Sequence, residues 1–317
     1  MRCRKCGEKA AINMRQHKLA LCGTHFLDWI PEQTQRFIEK YRMFGEDSRI
    51  LLAVSGGKDS LALWDVLQRL GYQTTGLYIG LGINEYSMRS QEMAEKFATE
   101  NDLNLTVVDV ADEEGATIPE ASKLTERGKG KPCSVCGLTK RHMMNRVARE
   151  GGYDVVTTGH NLDDEVAVLF GNTLNWAVGY LARQGPVLEE TAAGLVRKAK
   201  PFCRFYERET AAYTLLRGIN YIYEECPYAE GATSIYHKEL LNQMEEVRPG
   251  LKLSFYLSFL RAKESGLFVQ ESTLAKSKLA QCRTCGQPTT APDQCAYCRT
   301  WDGVRKRRVT TREGETR

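Results

Sequence analysis

Eleven cysteines and one glycine-rich loop carry most of the chemistry that this 317-residue sequence offers. Near the start, CRKC is followed fifteen residues later by CGTH, so Cys3, Cys6, Cys22 and His25 form a Cys-x2-Cys…Cys-x2-His set. Two short knuckles that supply two ligands each suit a tetrahedral zinc ion. CRTC and CAYC, nine residues apart, repeat the design near the end with Cys282, Cys285, Cys295 and Cys298. Neither quartet leaves an open ligand position. Both therefore read as structural modules that fold on their metal, being too small for an apolar core of their own.

A third group of cysteines is different. KPCSVCGLTKRH puts Cys133 and Cys136 one helical turn apart, with Lys140 four residues on, so two thiols and an ammonium share roughly one helix face. Cys226 stands before a proline in EECP. Such a trio fits three chemistries: a redox pair forming a persulfide or disulfide with Cys226, a third zinc site, or a [4Fe-4S] cluster with one open iron. Cys203, in the apolar stretch PFCRF, reads as a buried and inert thiol.

SGGKDS, residues 55–60, nearly spells a Walker A loop, which needs Gly, four residues, then Gly-Lys-Ser/Thr. Here Gly56 and Gly57 are adjacent, and Asp59 separates Lys58 from Ser60. The loop ends a buried-strand pattern and opens a helical one. That is where open α/β sheets bind ligands and where helix-start amides favour anions. The glycines let backbone N–H groups approach phosphate oxygens, Ser55 and Ser60 offer hydroxyls, and Lys58 offers charge. Asp59 suits the helix dipole; its functional reading is to help hold Mg2+ against the phosphates. With LYI ending beside the first strand, the main chain near Ala53 and Ile79 would be positioned to bracket an adenine. TTGHNLDDE, residues 157–165, adds Gly159 at a second strand end, followed by Asp163 and Asp164 as metal ligands or helix caps.

These groups need a scaffold, and the hydrophobic pattern supplies one. RILLAV, TTGLYIG, LTVVDV and DVVTTGH read as strands, alternating with helical stretches that begin at DSLALW, SMRSQE, SVCGLT and DDEVAV. Alternation at this length implies βαβ units and a parallel sheet buried on both faces. Residues 31–46 read as a connecting helix, and residues 112–132 as a polar loop able to act as a lid. Beyond residue 200 the pattern turns more helical. With 42% hydrophobic and 26% charged residues, no membrane-length apolar run and no signal-like start, the chain reads as soluble and cytoplasmic. The net charge of +4 is mild, but Arg305, Lys306, Arg307, Arg308 and Arg312 crowd the C-terminal end, as a frayed solvated tail or as a grip on nucleic acid.

SGGKDS after ILLAV resembles the PP-loop of the ATP pyrophosphatase superfamily, whose pattern is Ser-Gly-Gly-x-Asp-Ser. The resemblance implies a loop that holds the β,γ-pyrophosphate and leaves the α-phosphate open, hence adenylation of an acceptor. CRKC…CGTH, AVSGGKDS, PCSVCGLTKR, TGHNLDDE, EECP and CRTC…CAYC together resemble the TtuA group of tRNA 2-thiouridine synthetases over nearly the whole chain. That resemblance implies an α/β, parallel-sheet PP-loop domain (adenine nucleotide alpha-hydrolase-like) at residues 48–265. Zinc modules at 1–30 and 278–303, a connecting helix at 31–47 and a basic tail at 304–317 would flank it. It implies ATP with Mg2+, two Zn2+ on the two quartets, and a [4Fe-4S] cluster on Cys133, Cys136 and Cys226. Lys140, Asp164 and Asp59 would be catalytic. Ala53, Ser55, Gly56, Gly57, Lys58, Asp59, Ser60, Ile79, Lys140 and Gly159 would bind nucleotide. The expected reaction is 2-thiolation of 5-methyluridine 54 in tRNA, with sulfur from the C-terminal thiocarboxylate of a ubiquitin-like carrier protein and the enzyme acting as a homodimer. Wobble uridine 34 or cytidine 32 are the rival targets. ATP-dependent amidation or lysidine formation would leave the cysteine trio idle. A non-enzymatic zinc-bridged RNA-binding protein would leave both the trio and the loop idle.

Overall fold

The computed structural model describes residues 1–127, 132–268 and 279–315, the last six of these by backbone alone. The chain opens with an antiparallel hairpin, β1 (Ile12–Met14) and β2 (Leu19–Leu21), and enters α1 (Gly23–Lys40). Then come β3 (Ile50–Val54), α2 (Lys58–Arg69), β4 (Thr74–Gly80), α3 (Asn84–Glu100), β5 (Asn104–Asp109), α4 (Val110–Glu114) and α5 (Ile118–Lys123). The central part continues through α6 (Pro132–Glu150), β6 (Val155–Thr158), α7 (Leu162–Leu174), α8 (Val178–Arg183), β7 (Val187–Leu188) and β8 (Arg197–Ala199). Three helices follow, α9 (Glu207–Arg217), α10 (Thr233–Val247) and α11 (Leu251–Glu264). A second small hairpin, β9 (Ala280–Gln281) and β10 (Pro288–Thr289), leads into α12 (Ala296–Glu315).

The main sheet has the order β5-β4-β3-β6-β8-β7. Its first five strands are parallel, as the βαβ pattern predicts, but β7 closes one edge antiparallel to β8, an addition too short for any periodicity to reveal. Period-2 alternation splits the sheet between two cores. Ile50, Leu52 and Val54 face one with α1, α2 and α7, while Leu51, Leu77 and Val156 face the other with α6 and α12. Gly76 is required where α2 crosses β4, because a Cβ there would stand 2.4 Å from the Trp64 ring. β5, expected to be buried on both faces, is an edge strand with Asn104, Thr106 and Val107 exposed.

Three expectations change. The connecting helix is the later part of α1, which begins at Gly23 inside the first cysteine module and buries Phe26, Ile30, Phe37 and Ile38 in the first core. The lid-like stretch 112–132 is largely helical in α4, α5 and the start of α6, with residues 128–131 outside the described residues. The basic end is α12 rather than a frayed tail: Arg305 pairs with Glu114 and Asp302 at 2.5 Å each, and Arg307 donates to Leu124 O at 2.8 Å. The Arg312 side chain lies outside the described residues. Among the described residues no helix is long and apolar enough to cross a membrane.

Candidate active site

SGGKDS turns from β3 into α2 at the C-terminal edge of the sheet. Gly57 is the N-cap, so amides at the start of α2 face out of the loop. The loop is tied internally: Ser55 N–H donates to Ser60 Oγ at 3.1 Å, and Ser60 Oγ donates to Gly57 O at 2.9 Å. Gly56 has φ +70°, and a Cβ on it would stand 2.1 Å from Ser90 O of α3. Gly159, at the end of β6, meets the same loop, with a Cβ position 2.8 Å from the Asp59 carbonyl. Ala53 and Ile79 lie at the C-terminal parts of the adjacent strands β3 and β4. The expected nucleotide contacts of the loop, Ala53, Ile79 and Gly159 therefore converge on one edge.

The loop carboxylate and ammonium belong to a larger charge network. Lys58 Nζ lies 3.0 Å from Asp59 Oδ2 and 2.7 Å from Glu207 Oε1 of α9. Thr210 Oγ1 donates to Asp59 Oδ1. Lys238 of α10 bridges Asp164 Oδ1 at 2.6 Å and Glu207 Oε2 at 3.1 Å. Burial alone would lower the Lys238 pKa, yet Asp164 and Glu207 together hold it above the usual lysine range. Burial raises the Asp59 carboxyl, and the like charge of Asp164 adds to that rise against the pull of Lys58 and Thr210. Two neighbouring carboxylates beside a loop built for phosphate suit a hard divalent cation. Asp163 is not free to join them, because it pairs with buried Lys252 at 2.5 Å and caps α9 by accepting from Glu207 N–H. Asp164 also completes a capping box with Asn161, so the helix-cap reading of this side chain is met.

The trio is tied to this loop. α6 crosses from β5 to β6 and so starts over the same sheet edge, which brings Cys133 and Cys136 there. The segment carrying Cys226 is pinned by Ile222 N–H donating to Gly56 O at 3.0 Å, and by the Arg89–Glu224 pair at 2.5 Å. Cys133 Sγ lies 3.2 Å from Tyr228 O. Burial raises the Cys136 thiol; Lys140 opposes the rise, while Cys226 and Cys133 reinforce it. Burial, with Cys226 and Cys136 close by, pushes the Tyr86 hydroxyl up to about 12. Among the described residues only the two terminal quartets bring all their ligand atoms within 4.8 Å of one another. A tetrahedral zinc ion at Zn–S of about 2.3 Å holds its sulfurs about 3.8 Å apart. Cys133, Cys136 and Cys226 do not meet that spacing. Cys203 is fully buried and pushed up to about 12 by that burial, with Glu165 adding to the rise, as an inert thiol should be.

The quartets match zinc spacing: Cys6 and Cys22 sulfurs are 3.7 Å apart, and Cys285 and Cys295 sulfurs 3.8 Å. Each module braces one helix of the site. Gln16 and His17 of the first reach Glu209 at 2.6 and 3.4 Å, and Arg208 donates to Asn13 O at 2.8 Å, gripping α9 beside Glu207 and Thr210. The second grips α6. Tyr297 stacks on His142 at 3.6 Å, Gln287 donates to His142 O at 3.1 Å, and Trp301 Nε1 donates to Thr139 Oγ1 at 3.3 Å.

Residues 2–27 match the 2-thiouridine synthetase TtuA N-terminal LIM domain, and residues 30–225 match the PP-loop domain. The chain is 53% identical over 307 residues to the tRNA-5-methyluridine(54) 2-sulfurtransferase of Thermus thermophilus, covering 97% of this chain and 93% of the relative. The corresponding enzyme of Thermotoga maritima is 42% identical over 312 residues, covering 98% and 99%. The chain belongs to the tRNA-5-methyluridine(54) 2-sulfurtransferase family. As a member of this 2-sulfurtransferase family it is a tRNA-thiolating enzyme with an ATP-using PP-loop domain, and the amidation and non-enzymatic readings fall away. A solved structure, the U34-tRNA thiolase NcsA of Methanococcus maripaludis with its [4Fe-4S] cluster, shares the fold at TM-score 0.74 and 26% identity, covering 83% of this chain and 88% of that one.

Sequence reasoning missed Glu207, Thr210, Lys238, Tyr86 and Ile222. Glu207 and Lys238 sit near the starts of helices visible in the sequence, but no spacing linked them to a loop 149 or more residues away.

Proposed function

We propose that this enzyme adenylates the C2 carbonyl oxygen of 5-methyluridine 54 in tRNA and replaces that oxygen with sulfur, releasing AMP and pyrophosphate. The observation that carries the reading is the hydrogen bond from Ile222 to Gly56, which ties the segment of Cys226 to the phosphate loop. Activation and sulfur delivery would thereby share one sheet edge.

A pyrimidine C2 oxygen leaves badly, and adenylation turns it into part of AMP. The loop amides, Ser55, Ser60 and Lys58 would take the β,γ-phosphates, and Asp59 with Asp164 would hold Mg2+. Lys58 must then exchange Glu207 for phosphate. Lys140 would stabilise charge developing on the α-phosphate. Sulfide adds at C2, the C–O bond breaks, and AMP carries away the original oxygen, with no net oxidation. Cys133, Cys136 and Cys226 would hold a [4Fe-4S] cluster, which when bound supplies an open iron for sulfur. The cysteine quartets would hold two structural zinc ions. A carrier protein with a C-terminal thiocarboxylate as sulfur source, and a homodimer, complete the reading.

The test uses anaerobically purified enzyme with unthiolated tRNA, ATP and sulfide, followed by nucleoside analysis. The expected product is 2-thioribothymidine with one AMP per thiolation, and about four iron per chain. Cys226→Ala should lose iron and thiolation while still binding ATP. Thiolation at position 34, or activity without iron after reconstitution, would overturn the reading.

A further inference from the structure

α7 turns into α8 through Trp176, whose φ of 44° lies in the left-handed region that bulky residues avoid. The corner is fastened by Trp176 N–H to Thr173 O at 3.1 Å, Ala177 N–H to Asn172 O at 2.9 Å and Val178 N–H to Trp176 O at 2.8 Å. It leaves the indole 75% exposed. Tyr180, one turn on, is 64% exposed, with the Arg183 guanidinium 5.2 Å from its ring centroid. Burial does not account for either ring.

Two cations lead away from this corner, Arg141 within electrostatic reach of Tyr180 and Lys198 within reach of Arg141. Arg141 of α6 is exposed, within electrostatic reach of Tyr180 and Cys136. Lys198 is half-buried on β8, paired in register with Val156, so it stands on the sheet face that α6 covers. Among the described residues neither Arg141 nor Lys198 makes a hydrogen bond or ion pair, whereas nearby Lys200 is paired with Glu165 at 2.7 Å. Burial, then the charges of Arg141 and Lys200, push the Lys198 ammonium down to about 8. A half-buried ammonium facing like charges is destabilising unless an anion arrives.

We propose that Lys198, Arg141, Tyr180 and Trp176 form an RNA-binding surface, the cations taking a backbone phosphodiester and the rings stacking an unpaired base close to the cysteine trio. Cations without counter-ions beside exposed rings are the combination that takes unpaired RNA. The surface deepens the tRNA reading above and rests on it. The rival occupant is a second copy of this chain. A two-fold contact would set this face against itself, bringing Arg141, Lys198 and Arg183 against the same three cations. Repulsion disfavours that pairing.

The test measures binding of unthiolated tRNA to the full anaerobic enzyme across a salt series. Lys198→Met and Arg141→Met should each weaken binding and lower the slope of log K against log salt by about 0.7–0.9. The double change Trp176→Ala with Tyr180→Ala should weaken binding about tenfold at unchanged slope. ATP affinity should stay at the parent value in all of them, and Lys198→Met should melt no lower than the parent. Parent affinity and slope in every variant would overturn the surface while leaving the tRNA reading intact. A fall in ATP affinity instead would assign the anion to the nucleotide. A change in sedimentation from dimer to monomer would assign the face to a second copy. A parent that binds no tRNA would sink the function and the surface with it.

Discussion

Adjacent glycines in the phosphate loop should respond very differently to the same methyl group. In Gly56→Ala the new Cβ would meet Ser90 O at 2.1 Å, and Ser90 C and Cα at 2.9 and 3.0 Å, all of them backbone atoms of α3 that no rotamer change can move. Relief needs about 1 Å of displacement of the loop or of α3. The φ of +70° adds about 1–2 kcal/mol for an L-residue, and overpacking against a fixed backbone about 1–3 kcal/mol more. Destabilisation of about 2–5 kcal/mol follows. A loop displaced by about 1 Å should also cost about a hundredfold in kcat/KM for ATP. Gly57 has φ −87° and a Cβ position 3.4 Å from Ser55 Oγ, so Gly57→Ala should unfold within about 0.5 kcal/mol of the parent. Denaturant unfolding and ATP-dependent AMP release are the assays. Because Gly56 O holds Ile222, the Gly56 variant should also retain less iron. Gly56→Ala with parent stability and more than half the parent kcat/KM would refute the steric reasoning.

Two further outcomes follow from the charge network and from the second cysteine module. Lys238→Met removes the cation shared by Asp164 and Glu207, leaves Glu207 to hold Lys58 alone, and should raise KM for ATP about tenfold, roughly 1.4 kcal/mol, with recovery in Lys238→Arg; an unchanged KM would remove Lys238 from the site. Burial and then the Arg146 charge lower His142 to about 4 from the ordinary histidine value of 6.5, so the folded state binds fewer protons than the unfolded state between those values. Stability should therefore fall as pH drops below about 6.5 and level off near 4, by at most about 3 kcal/mol. Thermal melts of zinc-saturated parent and His142→Gln across that range check it, and parallel curves for the two would refute it.

Much of this protein is local and so legible in its sequence. A metal knuckle is a spacing of two residues, and the quartets at Cys3 and Cys282 could be paired because each ligand pair sits on one short turn. SGGKDS announces itself because a buried strand, two glycines and a helix start are contiguous in the chain. The alternation from β3 to α7 foretold the parallel sheet for the same reason: a strand buried on both faces must be apolar throughout. Other features belong to the assembled fold. Asp59 carries a dipole-friendly position in the sequence, but only packing sets Thr210, Lys58 and the charge of Asp164 around its carboxylate. Asp163 and Asp164 are neighbours with equal chemistry, and tertiary structure divides them, sending one to buried Lys252 and the other to Lys238 at the loop. The two cysteine modules read as separate appendages, yet their knuckles are packed into the two cores and brace α9 and α6. Spacing records what a short stretch of backbone can do by itself. Which charge meets which, across a hundred residues or more, is decided only when burial makes an unpaired group too costly and the fold chooses its partner.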